Sequence, residues 1–422
     1  MNMKKSTTGN QPKRAENIRA LVAYFESGIN EEEKRLGIEL EHTIVQAVNN
    51  APVSYTQEYG AAYLLEKLRS DYPDATFDSK GDLLGVSRLG EAVTIEPAAQ
   101  IELSAGPFDE LEDALACFER FESKLVEILE PVGQKAILVG YHPTAKAEDL
   151  ELIPKRRYKF MNFYLSEIGP FGQRMMRGTA STQVSIDYSS VSDCLRKLRL
   201  SFALVPVFSL ISDNTAIYEG EPRPHQLMRT EIWLECDPAR CGLVPGVMDL
   251  GFSLERYAEY ILDTPAIIVP CENHEWCYSD ETFGERYADK VMDRKAIEHA
   301  VSMFFNDVRL KTYVEIRPAD AMEPVYAIAY AALIKGLFYS EASLDALDVL
   351  FAGVDEKAIN EAKQALMAQG YGAEIYGQPV DKLVDTLMKI AKTSLSDADY
   401  NYLKPLEELT KTRTTLADIS GK

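Results

Sequence analysis

The sequence predicts an α+β protein. An antiparallel, partly curved sheet presents a polar concave face, and helices cover its other face. Three observations carry this expectation. Several segments alternate between apolar and polar residues, as half-buried strands do: in TQVSIDYSS (182–190), Gln183, Ser185 and Asp187 share one face and Val184 and Ile186 the other. Segments with helical spacing separate them, as in 109–130, where Leu111, Leu115, Phe118 and Leu125 form one stripe. The strands lack the continuous apolar runs of a parallel sheet, so a sheet covered on one side fits best.

In chain order, the charged stretch 15–35 reads as a leading helix that ends before Gly37, and GIELEHTIVQ (37–46) as a strand. Residues 58–70 have helical spacing, and 74–97 read as a meander turning at Gly81 and Gly90. TIEPAAQIELS (94–104) reads as one extended segment, with Glu96, Gln100 and Glu102 on one face. The helix over 109–130 takes Asp109 as its N-cap. KAILVGYHP (135–143) reads as a buried strand; helices follow at about 192–212 and 253–262, then the strand KTYVEIRPAD (311–320). From 324 onward the pattern is helical, with a turn-rich break at 370–379.

Composition narrows the function. The chain has 422 residues, 46% of them hydrophobic, which is enough for a large core. A net charge of −21 argues against nonspecific nucleic-acid binding, which needs basic stripes, but leaves room for a small anion in a locally cationic site. The run 200–212 is too short and too interrupted by Ser and Pro to cross a bilayer. Residues 1–17 lack the apolar core of a signal peptide. Six scattered cysteines with no CxxC pair read as reduced thiols. The expectation is a cytoplasmic protein with no membrane partner.

Three strands carry acids on one face. Glu39 and Glu41 flank Leu40; Glu96, Gln100 and Glu102 form a second set; Glu315 and Arg317 interleave with Val314 and Ile316. One such strand reads as solvated surface. Three, each with an apolar counter-face, read as a metal cluster, because gathered carboxylates repel unless cations intervene. Oxygen ligands of this kind suit Mg²⁺ or Mn²⁺, usually together with phosphate. There is no Walker A or glycine-rich dinucleotide motif. The cationic candidates are Arg229, Arg309, Lys311 and Arg317. His42, His142 and the His274–Glu275 pair receive no role.

At these residues the chain resembles the plant-type glutamate–cysteine ligases, within the glutamine-synthetase-like carboxylate–amine ligases. The matching blocks are GIELEH (37–42), TIEPAAQIELSAGP (94–107), MMRGTASTQVSIDYSS (175–190), AIYEGEPRPHQLMRTEIW (216–233), GFSLERYAEYILDTP (251–265) and VRLKTYVEIRPAD (308–320). The family often has Gly-Gly where Ala98 and Ala99 stand.

The resemblance implies an activity: ATP phosphorylates the γ-carboxylate of glutamate, and the α-amine of cysteine displaces the phosphate. Glu39, Glu41, Glu96, Glu102 and Glu315 would hold Mg²⁺, with Mn²⁺ as an alternative. Arg317 and Lys311 would meet ATP, and Arg229 a substrate carboxylate; Arg229 and Arg317 would be the catalytic pair. Trp233, Gln183, Ser185 and Gln100 would line the substrate pocket. The partners are then small molecules, in a monomer or homodimer. The expected division is a tail and leading helix (1–35), a catalytic domain (36–340) and a C-terminal helical region packed on it (341–422). Two alternatives stay open: the same chemistry with another amine acceptor, or a silent nucleotide-binding homologue.

Overall fold

The central strand, β1 (Leu36–Gln46), alternates Ile38 and Leu40 with Glu39 and Glu41, so one face is apolar and the other acidic. In a computed structural model of the chain, residues 12–32, 34–271 and 276–421 are described. Nine antiparallel strands form the sheet. They run from an edge strand, Val308–Leu310, through Val314–Asp320, β7 (Ser181–Ile186), β1, β5 (Ile101–Phe108), β4 (Glu91–Ile95) and β3 (Leu83–Arg88) to β2 (Asp74–Phe77). β6 (Gln134–Ile137) pairs with the second half of β1.

The apolar counter-faces meet in one core. Leu40, Leu103, Val184 and Ile316 are all fully buried. Helices α3 (Leu111–Leu129) and Pro324–Phe338 pack there, with α6 (Val191–Ile211) against Val314–Asp320. Helices α1 (Arg14–Glu26) and α2 (Ala61–Leu68) flank the sheet's strands in sequence. Over the polar face lie α4 (Arg156–Ile168), α5 (Gly172–Gly178) and α7 (Met228–Leu234), which roof it into a cavity. The sheet is therefore covered more fully than one-sided packing predicts. The C-terminal helices are not an appendage: Val380–Ser394 and Asp397–Lys411 pack on Pro324–Phe338, and Glu356–Gln369 packs on α6 and α7.

The expected meander is present, with Gly81 (φ 89°) and Gly90 (φ 78°) in the left-handed region at its two turns. Other elements differ from the sequence reading. The leading helix stops at Glu26, and Glu110 rather than Asp109 takes the N-cap of α3, without a side-chain bond. The strand expected over 135–143 ends at Ile137, and Tyr141 makes one isolated bridge to Thr179.

TIEPAAQIELS is not one strand but a hairpin. The Glu96 N–H donates to the Gln100 carbonyl at 2.9 Å, closing a turn between β4 and β5. Ala99 holds φ 70° there, the conformation glycine adopts freely. The glycine that the resemblance leads one to expect here would hold that conformation without strain.

Cysteine pairing is a second correction. The hairpin of Pro265–Pro270 with Trp276–Thr282 brings Cys271 and Cys277 to a Cα separation of 5.8 Å, and they form a disulfide. Cys117, Cys194, Cys236 and Cys241 are buried free thiols. His274 and Glu275 lie outside the described residues.

Packing between Pro324–Phe338 and Val380–Ser394 depends on Gly336. A Cβ there would sit 2.7 Å from the Ala391 carbonyl oxygen and 2.8 Å from its Cα. Both are backbone atoms that cannot rotate away. Gly336→Val should therefore destabilise the protein by about 1–3 kcal/mol, the scale of overpacking. A thermal midpoint equal to that of the unsubstituted protein would show that the two helices can separate without cost.

Candidate active site

Pairing register places the acids on one face. Residues directly opposite in an antiparallel ladder point the same way. Glu41 lies opposite Glu102, and Thr94 also lies opposite Glu102. Glu39 lies opposite Ser104 on one side and Gln183 on the other. Glu315 lies opposite both Ser185 and Arg309. The hairpin turn leaves Glu96 and Gln100 on this face too, and both line the same cavity.

That cavity has a volume of about 350 Å³. Glu39, Glu41, Glu96 and Glu102 line it from β1, β5 and the β4–β5 turn; Arg309, Lys311 and Arg317 line it from the Val308–Leu310/Val314–Asp320 hairpin across β7, and Arg229 from α7. A second cavity of about 750 Å³ is lined by Gly28, Ser104, Ser185, Arg88, Arg294 and Tyr313, and Glu39 lines both.

The acids are not equivalent. Glu41 is pushed up to about 7 by burial and by Glu96, against the pull of Arg229 and a hydrogen bond from Ser181. Burial and Glu315 raise Glu39, while burial and the charges of Glu39, Glu96 and Glu41 hold Glu102 well above the usual carboxylate range. Glu315 goes the other way. Burial alone would raise it, but Arg309, Lys311 and Arg317 hold it well below the usual range.

The geometry explains this contrast. The Glu315 side chain is fully buried, and both oxygens are taken. Oε2 accepts from Arg309 Nε at 2.7 Å and from Arg317 Nη1 at 2.9 Å. Oε1 accepts from Arg309 Nη2 at 3.1 Å and meets Lys311 Nζ at 2.6 Å. Expected as a metal ligand, it is instead the anchor of three cations.

A Mg²⁺ ion needs ligands with oxygens to spare. Among the described residues, no three His, Cys, Asp or Glu side chains converge to hold an ion alone. Glu41 accepts from the Ser181 N–H and hydroxyl and from Gln183, and Glu102 accepts from Thr94 and Ser104. Even so, the raised carboxylates mark uncompensated negative charge. Mg²⁺ typically takes one or two carboxylates plus phosphate oxygens, so the acidic wall fits it with a phosphate ligand present.

The other expected site residues divide. Arg229 is buried, donates to the carbonyls of Arg317 and Pro318, and lies over the Trp233 ring at 5.2 Å. Gln183 bridges Glu41 and Arg317. Gln100 lines the cavity, but its polar atoms serve the backbone: Nε2 donates to the carbonyls of Arg177 and Thr179, and Oε1 accepts from the Ala98 N–H. Ser185 faces the larger cavity instead.

The sequence reading missed the roof, where Lys155, Arg157, Tyr158, Met161, Met175 and Met176 also line the site. KRRY (155–158), a basic cluster in an acidic chain, was the available signal. His42 proves structural: its Nδ1 lies 3.1 Å from the Ile101 carbonyl and its Nε2 2.5 Å from Glu122.

Comparison with known proteins gives a consistent picture. The family described as glutamate-cysteine ligase family 2 (GCS2) matches residues 35–414. Glutamate–cysteine ligase, chloroplastic, of Arabidopsis thaliana is 28% identical, over 94% of this chain and 78% of that protein. Glutamate–cysteine ligase B, chloroplastic, of Oryza sativa subsp. japonica is 26% identical, over 92% of this chain and 79% of that one. Among solved structures, glutamate–cysteine ligase from Francisella tularensis, in complex with AMP, matches with a TM-score of 0.57 at 12% identity. It covers 93% of this chain and 83% of that one, a likeness of fold. The relatives' names place them in the chloroplast, which overturns the cytoplasmic expectation. An acidic composition suits either compartment, as does the lack, among the described residues, of a helix long and apolar enough to cross a membrane, so neither could discriminate.

The raised acids give a pH prediction. A carboxylate with an elevated pKa stays protonated to higher pH, and a cation needs it ionised, so binding must expel protons. Mg²⁺ titrated with a nonhydrolysable ATP analogue should release protons at pH 6.5, with affinity falling as pH drops through about 7, where Glu41 titrates. Calorimetry in two buffers of different ionisation enthalpy reads the release directly. Equal heats in both buffers would mean that these acids are already ionised.

Proposed function

This chain belongs to glutamate-cysteine ligase family 2, and as an ATP-dependent ligase that forms γ-glutamylcysteine we propose that it works through an acyl phosphate on the sheet's polar face. The observation that carries the proposal is that one cavity of about 350 Å³ is lined by four carboxylates from β1, β5 and the β4–β5 turn and by four cations from the strands across β7 and from α7. The reaction must bring a carboxylate and a triphosphate together, and like charges repel. No protein nucleophile is needed. The work is positioning and charge neutralisation.

Glu39, Glu41, Glu96 and Glu102 would hold Mg²⁺ beside the nucleotide's phosphates, where the ion supplies charge neutralisation on the transferring group. Arg317, fixed by Glu315 and Gln183, meets the γ-phosphoryl group, with Lys311 alongside. Arg229 takes an amino-acid carboxylate with its planar fork. Trp233 and the roof residues Met175 and Met176 bound the amino-acid end. The larger cavity, reached past Glu39, has room for the nucleoside.

In the first step a γ-carboxylate oxygen of glutamate attacks the γ-phosphorus and ADP leaves. In the second, the cysteine amine attacks the acyl carbon and phosphate leaves with the oxygen that formed the bridge. Cysteine is the acceptor this family membership supports. A panel of amino-acid acceptors, read by phosphate release, would expose a different preference.

Two outcomes test this reading. Glu102→Gln keeps shape and removes charge, so the fold should survive while Mg²⁺-dependent turnover drops about a hundredfold, the effect of losing one preorganised electrostatic group. Near-normal turnover at saturating Mg²⁺ would remove Glu102 from the metal wall. With ¹⁸O in the γ-carboxylate of glutamate, label should appear in the released phosphate. Product formed with label in AMP, or with none transferred, would refute the acyl phosphate.

A further inference from the structure

The cationic wall contains a problem of self-inhibition. Arg229 and Arg317 share a small void of about 10 Å³ with Asp307, room for a single water. The Nε groups of both arginines are buried without a hydrogen-bond partner. A carboxylate beside two open guanidinium edges would close them, because the planar fork binds Asp as readily as it binds a substrate anion.

Three protein acids act on Arg229, namely Asp320, Glu41 and Asp307. Each is held by something else. Asp320 Oδ2 accepts from the Asn214 N–H at 2.9 Å and from the Thr215 hydroxyl at 2.8 Å. Glu41 accepts from Ser181 and Gln183. Asp307 is held from outside the catalytic sheet, by Lys363 Nζ at 2.5 Å from its Oδ2. Lys363 sits on the C-terminal helix Glu356–Gln369, which packs behind α7, the helix that carries Arg229.

Its side chain is 1% exposed. Burying a lysine charge is costly unless it is paired, so a core position filled by Lys rather than Leu calls for a reason. Asp307 is also tied by its backbone to the arginines, since its carbonyl accepts from the Arg317 N–H at 3.0 Å. The carboxylate cannot drift far from them; only its direction can be controlled.

We propose that Lys363 is a positioning residue that turns the Asp307 carboxylate away from Arg229 and Arg317, keeping both guanidiniums open for the anionic groups of the substrates. The C-terminal helical region thereby contributes to substrate affinity without touching substrate. The proposal rests on the reading of Arg229 and Arg317 as anion-binding residues.

Steady-state kinetics of the full chain test it, with Arg229→Lys as the reference for the underlying site. Arg229→Lys should raise the KM of one amino-acid substrate, and that KM is the readout. In Lys363→Met, Asp307 is free to occupy the arginines. If it does so nine-tenths of the time, that KM rises about tenfold. The double variant Lys363→Met/Asp307→Asn removes the competitor and should bring KM back to within about twofold of the unsubstituted protein, whatever its thermal midpoint. A merely structural role predicts the opposite, with the double variant as defective as the single one, and that result would overturn the proposal. So would an unchanged KM in Lys363→Met while Arg229→Lys raises it. An unchanged KM in Arg229→Lys would instead reject the site reading itself. Should Lys363→Met not fold, Asp307→Asn decides alone: KM stays level or falls on this proposal, and a tenfold rise refutes it.

Discussion

Everything in the site depends on one buried carboxylate. Three cations of one hairpin, Arg309 on Val308–Leu310, Lys311 in its turn and Arg317 on Val314–Asp320, could not stay packed together without a counter-charge, and Glu315 supplies it. A buried charge of this kind is stable only when its hydrogen-bonding capacity is used, and both of its oxygens are. The arrangement need not add much net stability. What it contributes is direction: Arg317 is fixed at one nitrogen by Glu315 and Gln183, so its remaining donors have a defined orientation before any substrate arrives.

The acidic wall is the complement. Among the described residues no Lys or Arg forms an ion pair with Glu39, Glu41 or Glu102, and burial followed by the neighbouring acids raises their pKa values. One sheet face thus holds, within a single cavity, one carboxylate paired with cations and several that are only hydrogen-bonded or buried. A divalent ion with its phosphates would supply the latter with counter-charge. The paired one is part of the scaffold.

Sequence pattern made the faces legible and the elements less so. Period-two alternation placed Glu39, Glu41, Glu102, Gln183 and Glu315 on one side correctly, because a buried counter-face admits no slip in register. TIEPAAQIELS shows how a face can be right while its element is wrong. The segment folds back at 96–100, yet Glu96 and Gln100 come opposite each other across the turn, so parity survives the reversal. The turn was hidden because Ala99 occupies a left-handed position where glycine would have announced it. Roles were harder still. That Glu315 would be consumed by ion pairs, and Gln100 by backbone carbonyls, depends on which side chains long-range packing delivers. Lys155 and Arg157 arrive from the N-cap and first turn of α4, on no strand at all, so no strand periodicity could report them.

Global charge was the least informative quantity about the substrates. A chain of net charge −21 opposes ATP and glutamate at long range. Salt screens exposed charges beyond roughly 8 Å, whereas a cavity wall acts at contact and in a poorer dielectric. Four cationic groups on one wall therefore outweigh a surplus of acids spread over the surface. The same reasoning limits how many acids may stand near those cations unrestrained. Glu41, Asp320 and Asp307 all lie within electrostatic reach of Arg229, and each is tied to another partner. In an acidic protein that binds anions, restraining the protein's own carboxylates is as much a condition of binding as placing the arginines.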